Sequence, residues 1–259
     1  NEINDLIETG FVQANTRHTI SLHPMIQEIT LSEIRPSVTS CHSLLDSIQK
    51  RCLMHGTEVN YHKKMFQTVE NIIHLIKKDD ISRYLLFLED VFPYMEKFHY
   101  QKGMKEILRE LKQLLKRDHH GTAADQALLL DYQAAMEEKT EKAIRLEKEA
   151  LMQIKEITAE NAHLVSNLHA NLGGLYRING QTAFAKEHME KGLLLLEQYQ
   201  LLPSNDSLPQ INNYAALLTE MQQPDRAISV LQKLARIIKD YNSDHCLDYA
   251  QVQESMGNI

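Results

Sequence analysis

The chain has 259 residues, room for one large domain or two ordinary ones. Hydrophobic residues make up 43% and charged residues 24%, while Gly (9) and Pro (6) fall well below their usual shares of roughly 7% and 5%. So few helix breakers argue against a sandwich, a barrel or a nucleotide-binding α/β sheet, and predict long helices with short turns. No run of 18 apolar residues is present, so no membrane span is read. The start shows no basic-apolar-small leader, and Asn1 as first residue makes a fragment the expectation. Three cysteines, Cys41, Cys52 and Cys246, are sparse and odd in number, which suits a reducing, cytoplasmic setting. The net charge of −7 lies wholly in residues 121–259, with 12 basic and 19 acidic groups; residues 1–120 balance at 16 each. An acidic second half repels nucleic acid.

In chain order, Ile3, Leu6 and Ile7 mark a short helix. Phe11-Val12-Gln13-Ala14 and Thr19-Ile20-Ser21-Leu22 are β-prone runs separated by Asn15-Thr16-Arg17-His18, which predicts a β-hairpin. His23-Pro24 opens a helix through Ile29, with Pro suited to the first turn. Helix, hairpin and helix together read as the wing end of a winged-helix domain over 1–35.

The run Leu22-His23-Pro24-Met25-Ile26-Gln27-Glu28-Ile29 resembles the end of the winged helix in STAND (NB-ARC-type) signalling ATPases. That family carries a Met-His-Asp motif at this junction, and its histidine contacts the ADP phosphate of the closed state. The resemblance implies this nucleotide-sensing role for His23 in an intact protein, with ADP or ATP as its cofactor. Leu22 and Pro24 depart from the motif's Met and Asp. The chain itself has no G-x-x-x-x-G-K-[ST] phosphate loop, so no cofactor is expected within it.

Helices are predicted near 40–54, 58–78, 81–99 and 103–117, with Pro93 kinking or ending the third. These read as degenerate helical repeats over 36–120, since they keep the apolar pattern but lose small residues. Lys102, Lys105, Arg109, Lys112 and Lys116 step by three and four along one face of the fourth. The stripe reads as a solvated face with Glu106 and Glu110 alongside; docking to an acidic partner or to nucleic acid, or self-association with another copy's acidic half, is the less favoured use.

Beyond residue 120, helices are predicted near 122–137, 139–157, 160–178, 182–200, 208–222 and 224–240, and a last one from about Ser243. Here the sequence repeats. Gly173 maps onto Ala215 and Gly257 at a shift of 42, Ala185 onto Ala143 and Ala227, and Gly192 onto Ala150. The pattern Leu172-Gly173-Gly174-Leu175-Tyr176, Gly180, Ala185, Gly192 has the spacing of a tetratricopeptide (TPR) hairpin. Small residues let paired helices approach closely, and stacking buries an apolar face that one hairpin cannot cover alone. The period resembles the long, kinesin-light-chain-like TPR class; a HEAT or armadillo array ranks second. Regular TPR-like units are therefore expected over 121–259, the last one truncated. The fold class is all-α, a TPR-like α-solenoid forming a right-handed superhelix of helical hairpins, preceded by the winged-helix remnant.

In such an array the first helices line the concave face. That face is predicted to carry Tyr132, then Asn167, Asn171 and Arg177, then Asn212 and Asn213. Asn171 and Asn213 share one register, and an amide there can donate to and accept from a peptide backbone. Arg177 can pair a carboxylate. Glu137, Glu138, Glu141, Glu147 and Glu149 alternate with basic residues and read as a solvated, salt-bridged face. The histidines, including His119, His120, His163 and His169, show no metal-ligand spacing, and no nucleophile–base set is visible, so no enzyme is expected. The sequon Asn205-Asp206-Ser207 has no meaning without secretion. The sequence thus predicts a non-catalytic protein- or peptide-binding region of a cytoplasmic STAND-type regulator, with a stand-alone TPR adaptor or a TPR-controlled winged-helix transcription regulator as alternatives.

Overall fold

The computed structural model describes residues 2–15, 19–33, 35–53, 59–117, 122–202, 207–241 and 254–257. The residues 16–18 of the predicted turn, His119 and His120, Asn205 and Asp206 of the sequon, Cys246 and the start of the last helix lie outside these. The chain forms two compact units, Asn1–Ile107 and Leu108–Ile259.

The first unit opens with α1 (Glu2–Glu8), β1 (Val12–Asn15), β2 (Thr19–Leu22) and α2 (Pro24–Glu33). The strands pair antiparallel, Val12 opposite Leu22 and Asn15 opposite Thr19, as the alternating runs predict. Gly10, at φ 76°, turns the chain from α1 into the hairpin. Four longer helices follow: α3 (His42–Leu53), α4 (Val59–Leu75), α5 (Ile81–Lys97) and α6 (Gln101–Arg117), the last crossing the division between units. Leu45, Val69, Ile73, Phe87, Leu88, Val91, Phe92 and Met104 are buried. Asp80 caps α5 by accepting the Arg83 N–H at 3.0 Å.

Pro93 does not end its helix; α5 continues to Lys97. The proline ring faces outward, while Val91, Phe92, Tyr94 and Met95 on either side are buried. The burial of these four side chains outweighs the one backbone hydrogen bond that proline cannot donate. On α6 the basic stripe is partly answered within its unit: Lys102 donates to Glu70 of α4 at 2.8 Å, and Tyr100 donates to the same carboxylate at 2.7 Å. Burial would raise the Glu70 carboxyl, but these two donors outweigh it and hold it below its usual range. Glu110, expected beside the exposed stripe, is instead buried.

The second unit contains α7 (Ala123–Ala135), α8 (Thr140–Gln153), α9 (Ala162–Ile178), α10 (Thr182–Gln198), α11 (Ser207–Glu220) and α12 (Pro224–Tyr241). They pack as three successive hairpins, α7 on α8, α9 on α10 and α11 on α12, with α8 against α9 and α10 against α11. A capping box of Thr122 and Asp125 starts α7. The second helices open at Thr140, Thr182 and Pro224, at intervals of 42 residues. Ala143, Ala185 and Ala227, which share that spacing, are all buried. A Cβ on Gly173 would lie 2.5 Å from Met189 Cγ and 3.1 Å from the Ala185 carbonyl, so glycine sets the α9–α10 approach. The helix α8 stops four residues before its predicted end. Ile154 leaves it in an extended conformation and packs with Ala127, Ala150 and Leu168.

Candidate functional site

The first helices of the three hairpins, α7, α9 and α11, carry the candidate residues, and side chains link one helix to the next. Asn171 Nδ2 donates to Asp131 Oδ1 of α7 at 2.8 Å. Asn167 Oδ1 accepts from Gln210 Nε2 of α11 at 2.6 Å. The Ser166 hydroxyl, fully buried, lies 3.0 Å from the Gly192 carbonyl and 3.1 Å from Gln210 Oε1. Arg177 Nε donates to Glu220 Oε2 at 2.9 Å, and its terminal nitrogen takes the other carboxylate oxygen. The Arg177 hydrogen bond lowers the Glu220 carboxyl from its ordinary value. Asn167, Asn171 and Arg177 therefore all have partners inside the array.

Asn213 is exposed, and so is Asn171 despite its bond. Asn212 is half-buried and lines a cleft of about 430 Å³ with Ala216, Thr219, Glu220 and Ser255. Among the described residues its Oδ1 has no hydrogen-bond partner. Tyr132 is only 5% exposed, so it belongs to the packing of α7 rather than to an open surface. In the first unit His23 is half-buried at the entry to α2, where its Nδ1 accepts the Met25 N–H at 3.3 Å.

Two clusters escape sequence reasoning. Glu147, read as part of a solvated charged face, is 2% exposed, and its carboxyl acts on that of Asp131, itself 8% exposed. Burial raises the Asp131 carboxyl, against the lowering effect of Glu147 and Asn171. The alternation of charges around Glu147 concealed this, although its position four residues after buried Ala143 and three before buried Ala150 puts it on the inner face. The second cluster pairs His169 of α9 with His188 of α10, Nδ1 to Nδ1 at 2.9 Å. Burial, then the charges of the partner imidazole and Lys191, lowers His169 to about 4. A contact of this kind needs one ring to donate and the other to accept, so at least one is neutral. Nothing in the local sequence of either histidine signals the other, because the hairpin alone brings them together.

Among the described residues, no three His, Cys, Asp or Glu side chains form a metal-binding group. No described helix is long and apolar enough to cross a membrane. Neither cysteine described is disulfide-bonded, and Cys52 is buried, which pushes its thiol up to about 12.

With the stacked hairpins in view, comparison with solved structures decides the architecture. A single-substitution variant of a kinesin-light-chain-type chain of nearly identical TPR-like repeats, from Podosopora anserina, superposes with a TM-score of 0.50. The two are 16% identical, and the match covers 68% of this chain and 84% of that one. The fold is a TPR-like α-solenoid. A second structure of those Podosopora anserina repeats matches at 16% identity and a TM-score of 0.49, over 68% of this chain and 84% of that one. MamA matches at 14% identity and a TM-score of 0.38, over 62% of this chain and 89% of that one. No protein-family model and no curated protein matches the sequence.

Proposed function

We propose that the chain is a non-catalytic, protein- or peptide-binding sensor region of a cytoplasmic STAND-type signal-transduction regulator, with the first helices of its repeats as the docking surface. The observation that carries the binding part is the run of amides on α9 and α11, where Asn171 and Asn213 are exposed and Asn212 borders the cleft. Amides suit a ligand backbone because they donate and accept without selecting a side chain. Two of the links between helices, at Asn171 and Arg177, are themselves exposed or part-exposed and can be exchanged for ligand contacts. The signalling part rests on the order of the segments: helix, hairpin and helix, then the repeats. His23 stands at the hairpin-to-helix junction, as the resemblance requires. It supplies one ring nitrogen toward a nucleotide, and the phosphate loop would come from a preceding ATPase domain of the intact protein.

The binding part is tested by panning a random peptide library displayed on phage against the chain. Clones enriched on the wild type should lose at least about tenfold in affinity for an Asn171→Ala/Asn213→Ala variant, equivalent to roughly 1.4 kcal/mol. Enriched clones that bind the variant equally remove these residues from the surface. The signalling part fails if the native gene encodes no phosphate loop upstream.

A further inference from the structure

We propose that the hydrogen bond between His169 and His188 is an acid-released clasp across the α9–α10 hairpin, holding while at least one imidazole is neutral and opening when both are charged. The inference concerns regulation of the repeat unit itself and does not depend on the binding role.

The geometry comes first. His169 of α9 and His188 of α10 are half-buried, with their Nδ1 atoms 2.9 Å apart and their ring centroids 5.1 Å apart. One Nδ1 must donate and the other accept, which two neutral rings can do, and so can one neutral and one charged ring. Two imidazolium rings both carry a hydrogen on Nδ1, so the contact turns into N–H against N–H and charge against charge. His188 also lies against the Tyr176 ring, with centroids 5.4 Å apart, which helps to hold it in place. A Cβ on Gly192 would lie 3.5 Å from both His169 Cβ and Gln210 Oε1, so α11 approaches this point with a neutral amide. The charged groups that act on the pair are Lys191 and Glu187 from α10 and Lys148 from α8. Glu187 is already bridged to Lys191 at 2.7 Å, and Lys148 lies over the Tyr176 ring, 5.4 Å from its centroid. Two cations against one neutralised acid give a second positive charge on the rings little support.

Burial, then the partner ring and Lys191, lowers His169 to about 4, and burial lowers His188 as well. In an unfolded chain both rings take up protons near pH 6.5. Between these values the unfolded chain binds more protons than the folded one, so stability falls as pH falls. The clasp contributes in full above about pH 6.5, and its contribution is lost as pH drops towards about 4. The pair sits on α9, which bonds Asp131 of α7 through Asn171 and Gln210 of α11 through Asn167. Acid therefore acts on the helix that ties the three hairpins together.

The test uses the full chain with isotope-labelled histidine, followed by NMR, with His169→Gln and His188→Gln assigning the two rings. At about pH 7.5 the ring-nitrogen shifts should show one Nδ1 of the pair protonated and the other bare. At about pH 5.5, where an ordinary histidine is roughly nine-tenths protonated, at least one of the two rings should remain mostly neutral. In His188→Gln, whose amide still donates and accepts but carries no charge, the His169 midpoint should rise towards about 6.5. Thermal unfolding supplies the second readout. Relative to His169→Gln/His188→Gln, the wild-type Tm should fall by about 3–5 °C for each pH unit between about 6 and 4.5. Two rings that both titrate near 6.5, two bare Nδ1 atoms at neutral pH, or parallel melting curves would overturn the clasp. Should the variants fail to fold, the wild type still decides, because its two titrating rings stand out from or merge with the ordinary histidines.

Discussion

Gly173 and Gly174 are adjacent on α9 and face different surroundings. A methyl group on Gly173 would meet Met189 Cγ at 2.5 Å and backbone of α10 at 3.1 Å, whereas one on Gly174 would meet nothing within 4 Å. Alanine gains about 1 kcal/mol over glycine in a helix interior, and overpacking a tight contact costs about 1–3 kcal/mol. The two substitutions should therefore differ in sign. Gly173→Ala lowers stability by about 1 kcal/mol, and Gly174→Ala raises it by up to about 1 kcal/mol, each read as a Tm shift of about 2–4 °C. Shifts in the same direction would mean that Gly173 does not set the α9–α10 approach. The same spacing rule made this glycine legible from sequence: a small residue recurring at a fixed period, paired with Ala185, announces two backbones that must come close.

At the scale of elements, the helices were legible and their ends only partly so. Nearly every described helix past residue 40 starts within about two residues of where apolar periodicity puts it, because long amphipathic segments with few breakers leave little choice. Helix ends depend on tertiary contacts that the sequence does not display, as Ile154 and Pro93 show. The turns also hide a shared device. Gly180, Gln200 and Gln222 all have positive φ, and each follows its helix by two residues. The next residue's N–H then reaches back to close the helix: Gln181 to Tyr176 O at 2.8 Å, Leu201 to Leu196 O at 2.8 Å, Gln223 to Leu218 O at 2.9 Å. Only one of the three uses the residue suited to that conformation. Gln200→Gly and Gln222→Gly should each stabilise the chain by about 0.5 kcal/mol, since relief of left-handed strain exceeds the added chain entropy. Gly180→Gln should cost a similar amount, because its surroundings are open and only the backbone conformation objects. Chemical unfolding midpoints of the three variants check the set. A lower midpoint for both glycine variants would show that the glutamine side chains contribute more than the strain they impose.

Charge is a property of the whole chain, and it was fully legible as arithmetic while its local use was not. The net −7 and the acidic excess after residue 120 come directly from composition. The structure adds how individual charges are engaged. Lys102, the first of the basic stripe, is neutralised by Glu70, while Lys105, Lys112 and Lys116 remain exposed on the same helix. Three or four exposed cations on one helix could contact only a few phosphates, each worth close to one unit of salt slope on duplex DNA. The acidic excess elsewhere opposes that attraction at the low ionic strength where it would be strongest, because screening lengths there reach about 30 Å at 0.01 M. The chain should accordingly produce no anisotropy change with a fluorescent 20-base-pair duplex at 50 mM salt and micromolar protein. A Lys105→Glu/Lys112→Glu variant should be indistinguishable from the wild type in the same assay. Salt-sensitive binding that this variant abolishes would instead make α6 a nucleic-acid contact, and it would restore the transcription-regulator reading over the signalling one.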